Sequence, residues 1–200
     1  MNKILIILLS PIFLFLLSCK SGNISELNKM FNESQIESIN KSPFNSAKSL
    51  QPELKMQKKF RGLYINKLNE IQLKYPENPI IVVENYDFIC MGCPADYISF
   101  FNNEILITLN LNSYTAKYEE KKEYKNIDDL VYDGGIHNDL IEIYENLNSK
   151  KKWNAEPEKY GTEDCFDGGH TFYNVYYPNK KLESMYMRCW LPVEFRKDIK

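Results

Sequence analysis

Residues 4–17 form the longest apolar stretch of this chain and are interrupted only by Ser10 and Pro11. Lys3 places a positive charge directly in front of them. A helix of this length would reach about 21 Å at 1.5 Å per residue, which is short of the roughly 30 Å hydrocarbon core of a bilayer. The stretch therefore predicts the core of a cleaved export signal over residues 1–18, and the rest of the chain has to form the fold.

The end of this signal has a characteristic motif. Leu16, Leu17 and Ser18 precede Cys19. An aliphatic residue three positions before a cysteine and a small residue directly before it resemble the lipobox of bacterial lipoproteins. The resemblance implies that the chain is cut before Cys19, whose thiol carries diacylglycerol and whose new amine often carries an acyl chain. Because each buried CH₂ contributes about 0.8 kcal/mol, two or three such chains hold a protein firmly on a bilayer.

Localisation and partners follow from this anchor and from the charge. The resemblance implies a cell-envelope protein bound to a membrane through Cys19. Lys20 stands where some lipoproteins carry Asp as an inner-membrane retention signal, which favours the outer membrane and a domain facing the periplasm or the cell surface. The formal net charge of −2 provides no basic field for nucleic acid. The expected partner is therefore an envelope protein or a small ligand, and we predict no cofactor beyond the lipid on Cys19.

The cysteines after the predicted anchor are Cys90, Cys93, Cys165 and Cys189. An even number in an oxidising compartment predicts two disulfides, although the sequence alone allows three pairings. We favour Cys90–Cys93 and Cys165–Cys189 because each pair is local in sequence. A zinc site with four cysteine ligands is less favoured, because a zinc ribbon needs two C-x-x-C knuckles and the chain has one.

Composition divides the mature chain into two segments. Residues 19–53 are rich in Ser and Asn and lack Tyr and Trp, and we predict a flexible polar tether that reaches roughly 30–35 Å from the membrane. Residues 54–200 have the patterns of one globular domain of the α+β class. We expect antiparallel hairpins to form a sheet that packs against about two helices.

Hydrophobic periodicity predicts the elements of this domain. Apolar residues spaced three or four apart predict helices over residues 54–75 and 138–149, the first ended by Pro76. Runs of β-branched and aromatic residues predict strands over residues 79–86, 97–101, 105–111, 171–177 and 182–191. The charged residues 113–128 are expected to be exposed.

The C-x-x-C motif of Cys90 and Cys93 follows the predicted buried strand 79–86. In this position it resembles the motif of thioredoxin-like proteins, which implies a nucleophilic thiol at a helix N-terminus. The resemblance is partial, because no Trp precedes Cys90 and a strand rather than a long helix is predicted after Cys93. A structural disulfide is the favoured interpretation.

A short repeat precedes both histidines of the chain. Asp133-Gly-Gly lies before His137, and Asp167-Gly-Gly lies before His170. If the two copies converged, these Asp and His side chains could hold a divalent metal or supply a catalytic base. The favoured interpretation is two tight turns, because Asp-Gly sequences favour turns in which Gly adopts a positive φ.

Aromatic residues are concentrated near the C-terminus. An exposed face formed by Tyr173, Tyr177, Tyr186 and Trp190 could bind a sugar ring or a protein partner, although core packing is favoured for at least half of the aromatic residues there. The last strand alternates, which predicts two faces. One face carries Glu183, Met185, Met187 and Cys189, and the other carries Ser184, Tyr186, Arg188 and Trp190.

The chain contains no G-x-S-x-G, H-E-x-x-H, phosphate-binding glycine loop or EF-hand motif. We therefore predict a non-enzymatic lipoprotein domain that is stabilised by disulfides and binds a ligand or a protein. The alternative is an envelope enzyme. It would be either a thiol–disulfide oxidoreductase using Cys90 and Cys93 or a metal-assisted hydrolase using Asp133, His137, Asp167 and His170.

Overall fold

A computed structural model of the chain describes residues 24–86, 93–112, 115–124, 136–149, 153, 156–163 and 169–191. The strands are β1 (Ile80–Tyr86), β2 (Tyr97–Phe101), β3 (Leu106–Asn112), β4 (Lys117–Tyr124), β5 (His170–Tyr176) and β6 (Leu182–Arg188). They form one antiparallel sheet in the order β4-β3-β2-β1-β5-β6. The α-helices are α1 (residues 24–41), α2 (Gln51–Phe60), α3 (Gly62–Lys74) and α4 (Ile136–Asn148), with short 3-10 segments at Asn45–Leu50 and Pro157–Lys159.

This arrangement confirms the predicted α+β class and a single domain. Both faces of the sheet are covered. Helices α1, α2 and α3 pack on one face, where Val82 of β1 is buried, and α4 packs on the other, where Val83 is buried. Because β1 lies inside the sheet and is buried on both sides, its apolar run Ile80–Val83 shows no polar alternation. Among the described helices, none combines the length and the apolar character that crossing a membrane would need.

The structure differs from the predicted tether in residues 24–50. Residues 24–41 form α1, whose Leu27, Phe31, Gln35 and Ile39 are at most 2% exposed. These residues recur every four positions, so one side of the helix enters the core while the Ser and Asn residues lie on its other sides. Tertiary burial outweighs their modest helix propensity. Residues 19–23 lie outside the described part of the chain.

The predicted helix over 54–75 is divided in the structure. Arg61 separates α2 from α3, while its backbone N–H still donates to the carbonyl oxygen of Gln57 at 2.8 Å. A further difference is β4, which lies in the charged segment that we expected only to be exposed. Apart from Tyr118 and Tyr124 its residues are all charged, and it forms an edge of the sheet, where charged residues oppose unwanted strand pairing.

The alternation predicted for the last strand is confirmed within β6. Tyr186 joins the core cluster beneath α1–α3, and Met185 and Met187 join the cluster beneath α4. The prediction is wrong for Trp190. It packs against the cluster beneath α4, on the side of the sheet opposite to Tyr186. Cys189 has a φ of 46°, so the chain leaves the extended conformation there and the alternation ends.

Candidate functional site

Strand β6 forms an edge of the sheet, and its two halves have different neighbours. At the C-terminal half, the backbone N–H of Thr162 donates to the carbonyl oxygen of Arg188 at 2.9 Å, and that of Leu191 donates to Tyr160 at 2.7 Å. A Cβ atom on Gly161 would lie 2.0 Å from the Arg188 carbonyl oxygen, so this close approach requires glycine. Residues 160–162 therefore cover this half of the edge.

The N-terminal half of β6 lines a cleft against α1. The cleft has a volume of about 350 Å³, which is within the range of small-molecule sites. Helix α1 supplies Ser34, Glu37, Ser38 and Lys41, and the opposite wall is formed by Lys181, Leu182, Glu183, Ser184 and Trp153. The hydroxyl of Ser34 donates to the carbonyl oxygen of Leu182 at 3.5 Å, which joins the two walls.

The charges in the cleft are balanced. Lys41 forms an ion pair with Glu37, and Nζ of Lys181 lies 2.5 Å from Oε1 of Glu183. Tyr177 donates from its hydroxyl to Oε2 of Glu183 at 2.6 Å. Burial and this carboxylate raise the pKa of Tyr177, so the hydroxyl stays protonated and holds Glu183 in place. Both carboxylates of the cleft, Glu37 and Glu183, therefore have a lysine partner.

Hydrogen bonds fix one cleft hydroxyl from beneath. Ser184 donates to Oδ1 of Asn174 at 2.7 Å, and Gln35 donates from Nε2 to the same oxygen at 3.1 Å. Asn174 in turn donates from Nδ2 to the carbonyl oxygen of Val82 at 2.9 Å. Gln35 and Asn174 are 0% exposed, so these amides act as a rigid support for the wall of the cleft.

Below this support lies a buried ion pair. Arg61 donates from Nε to Oε1 of Glu84 at 2.9 Å and from Nη2 to Oε2 at 3.1 Å. Gln35 donates to Oε2 of Glu84 at 2.7 Å, Tyr86 donates to the same oxygen at 2.9 Å, and Tyr64 donates to Oε1. Burial acts to raise the pKa of Glu84, but the Arg61 guanidinium and these hydrogen bonds hold it below its usual value. Burial raises the pKa values of Tyr64 and Tyr86, and the negative charge of Glu84 raises them further. Both hydroxyls therefore stay protonated and donate hydrogen bonds.

This network is a structural support and not a reactive centre. Arg61, Tyr64 and Glu84 are 0% exposed, so no substrate reaches them in this conformation. The Glu84 carboxylate already accepts hydrogen bonds from Arg61, Tyr64 and Tyr86. Buried charged groups are tolerated in proteins where pairing and hydrogen bonds compensate for the loss of hydration. The Glu84 carboxylate meets that requirement, whereas Nη1 of Arg61 is buried without a hydrogen-bond partner among the described residues.

The predicted cysteine and metal sites lie largely outside the described residues. This holds for Cys19, Cys90, Cys165, Asp133 and Asp167, and for the side chain of His137. Cys93 and Cys189 are each disulfide-bonded. The pairings Cys90–Cys93 and Cys165–Cys189 stay predictions, because one member of each pair is not described.

His170, the fourth residue of the predicted metal set, lies in β5 and is 9% exposed. Its Nδ1 is 3.4 Å from Nη1 of Arg188. Burial and then the Arg188 cation lower the pKa of His170 to about 4, so the ring is neutral at physiological pH. Within the described part of the chain, no group of three or more His, Cys, Asp or Glu side chains is placed to hold a metal ion.

The predicted aromatic face is divided by the fold. Tyr173 is 0% exposed and packs under α4, while Tyr186 is 1% exposed and packs on the opposite side of the sheet. Tyr177 and Trp190 are half-buried beside the α4 cluster, and the indole N–H of Trp190 donates to Oδ2 of Asp139. These four residues therefore do not share one exposed surface.

Sequence reasoning did not identify the cleft residues. Ser34 and Ser38 lie in the segment predicted to be a tether, and Ser34 and Leu182 are 148 positions apart. No motif marks such a pair, because the cleft forms only when α1 packs beside the edge strand. Comparisons of the chain with protein-family models, with curated proteins and with solved structures found no match.

Proposed function

We propose that this protein is a lipid-anchored protein of the bacterial envelope that binds a small, uncharged polar ligand, such as a saccharide, in the cleft between α1 and β6. The observation that carries the proposal is the lining of the cleft. Three serine hydroxyls and two ion pairs surround a space of about 350 Å³, and Trp153, of which 8% is exposed, also lines it. Hydroxyl groups and an aromatic ring suit a ligand that combines hydroxyls with an apolar ring face.

Preorganisation supports binding at this place. Ser184 is held by Asn174, and Glu183 is held by Lys181 and Tyr177, before any ligand arrives. Groups that are already ordered lose little conformational entropy when a ligand binds. The lipid on Cys19 would keep this binding site at a membrane surface.

Ligand binding is tested by saturation-transfer NMR with a defined panel of neutral mono- and disaccharides. Ser38→Trp fills the cleft, and its matched control is Ser149→Trp. Ser38 donates to the carbonyl oxygen of Gln35 at 2.8 Å, and Ser149 donates to that of Asn146 at 3.1 Å, so both variants lose the same kind of helix contact. We expect binding to the wild type and to Ser149→Trp and its loss in Ser38→Trp. Absence of binding to the wild type, or equal binding to both variants, would overturn the ligand proposal.

The anchor is tested by cell fractionation of the Cys19→Ser variant. We expect the native protein to sediment with membranes and the variant to lose both the lipid and the membrane association. A variant that sediments at the native level would refute anchoring through Cys19.

A further inference from the structure

Helix α2 carries lysines on its solvent side. Lys55, Lys58 and Lys59 are exposed, and none of them forms an ion pair with another described residue. Glu53, which is the only acidic residue in the sequence of this helix, is 7% exposed. The exposed surface of α2 therefore carries three positive charges and no negative charge.

An exposed leucine adjoins these lysines. Arg61 keeps a helical backbone conformation, with a φ of −56° and a ψ of −35°, so the helical period continues across the junction of α2 and α3. Leu63 follows Lys59 by four positions and therefore lies on the same side as that lysine. It is 50% exposed, although most large apolar side chains of the described residues are buried. We name the surface formed by Lys55, Lys58, Lys59 and Leu63 the lysine face.

A direct contact places the beginning of α1 beside the lysine face. Asn28 donates from Nδ2 to the carbonyl oxygen of Lys58 at 2.7 Å. One turn later, the ring centroid of Phe31 lies 5.5 Å from Cζ of Arg61. Helix α1 begins at residue 24, and the four residues from there to Asn28 span about 6 Å. The first turn of α1 is therefore next to the end of α2.

The proposed lipid is linked closely to this contact. Residues 20–23 connect Cys19 to the described start of α1. Since a chain spans at most about 3.6 Å per residue, Cys19 lies within about 18 Å of residue 24 and within about 24 Å of Asn28. A domain of about 150 residues has a radius of gyration of about 15 Å, and hence a diameter of about 38 Å. The link therefore keeps the proposed lipid on the side of the domain that carries the lysine face.

We propose that the lysine face docks on the anionic phospholipid headgroups of the membrane that holds the anchor. This inference rests on the proposed lipid anchor at Cys19. Lysines near an anionic bilayer surface are attracted to it, and an exposed leucine gains free energy when it moves from water into the interface. Helix α4 packs on the opposite side of the sheet, so its exposed Glu145 then points away from the bilayer.

The test uses full-length lipidated protein on vesicles of phosphatidylethanolamine and phosphatidylglycerol that contain brominated lipid. A fluorescent label is attached to Asn66→Cys, an exposed position one turn after Leu63, or to Glu145→Cys as the control. Labelling is done without reductant, because Cys93 and Cys189 are disulfide-bonded, and the signal of wild type treated in the same way is subtracted. We expect the brominated lipid to quench the label at Asn66→Cys several-fold more strongly than the label at Glu145→Cys.

Two matched triple variants identify the cause, since each loses three positive charges from exposed positions. The first removes the lysines of α2 through Lys55→Gln, Lys58→Gln and Lys59→Gln. The control removes lysines elsewhere on the surface through Lys74→Gln, Lys159→Gln and Lys180→Gln. We expect the excess quenching at Asn66→Cys to shrink several-fold in the first variant, and also for wild type on vesicles of phosphatidylcholine, but to persist in the control.

Equal quenching of both labels in the wild-type protein bound to phosphatidylglycerol vesicles would overturn this inference alone. An excess at Asn66→Cys that is unchanged in the first triple variant or on phosphatidylcholine would also overturn it, as would an equal loss in both triple variants, because the lysine face would not be the cause. Failure of the native protein to bind either kind of vesicle would instead overturn the anchor and this inference together.

Discussion

Arg61 and Glu84 form an ion pair that is completely shielded from solvent, with Nε of Arg61 2.9 Å from Oε1 of Glu84 and both side chains 0% exposed. The pair connects the junction of α2 and α3 to the interior strand β1. Gln35 joins it from α1, since it accepts a hydrogen bond from Arg61 and donates one to Glu84. One polar cluster therefore fixes the positions of three helices above the sheet.

The first prediction concerns the removal of one partner of this pair. Arg61→Ala leaves the Glu84 carboxylate buried without its cation, and we expect the free energy of unfolding to fall by about 3–5 kcal/mol. The matched control is Lys67→Ala, because Lys67 pairs with Glu120 at 3.0 Å on the surface between α3 and β4. Exposed pairs contribute about 0–1 kcal/mol, so this variant should be almost neutral. Urea denaturation compares the two, and equal losses would contradict the role given to the buried pair.

The second prediction concerns pH and His170. In the unfolded chain His170 takes up a proton near pH 6.5, whereas in the folded protein it does so only near pH 4. Between these values the unfolded state binds more protons, so the free energy of unfolding falls as the pH is lowered, by up to about 2–3 kcal/mol. Glu84, whose pKa is lowered on folding, adds a further loss only below its unfolded value of 4.5.

Urea denaturation of His170→Asn between pH 4 and pH 7 isolates the histidine contribution. We expect a flatter dependence of the unfolding free energy on pH above the range in which Glu84 titrates. A slope identical to that of the wild type would show that His170 is not the group responsible.

The third prediction compares two glycines. Gly161→Ala places a methyl group 2.0 Å from the Arg188 carbonyl oxygen and should separate residues 160–162 from the edge of β6, at a cost of about 1–3 kcal/mol. Gly62→Ala meets nothing within 4 Å and lies in helix α3, so it should stabilise the protein by about 0.5–1 kcal/mol. Thermal unfolding of both variants should give shifts in the melting temperature of opposite sign, and shifts of the same sign would contradict this geometry.

The fourth prediction tests whether α1 belongs to the core. Phe31 is 0% exposed, and Phe31→Ala should reduce the free energy of unfolding by about 3–5 kcal/mol. Asn40, which lies near the end of the same helix, is exposed, so Asn40→Ala should change it by less than about 0.5 kcal/mol. If residues 24–41 were a flexible tether, neither substitution would change stability.

Local patterns predicted most elements of the sheet and two helical regions. The β-branched run at Ile80–Val83 predicts β1, and the alternation of Met185, Tyr186 and Met187 predicts the two faces of β6. Pro76 predicts the end of the helix that became α3. These predictions succeed because a strand or helix that buries one side repeats its apolar residues with a fixed period, which is visible within a few positions.

The tertiary structure alone decided the rest. Helix α1 is rich in Ser and Asn, and only its position above the sheet makes Leu27 and Phe31 core residues. Arg61 and Glu84 are indistinguishable in sequence from other charged residues until the fold brings them together in a dry interior. The cleft depends in the same way on contacts between distant segments such as Ser34 and Leu182. The physical reason is that the free energy of a polar side chain depends on which groups surround it, and those groups come from parts of the chain that local periodicity does not relate.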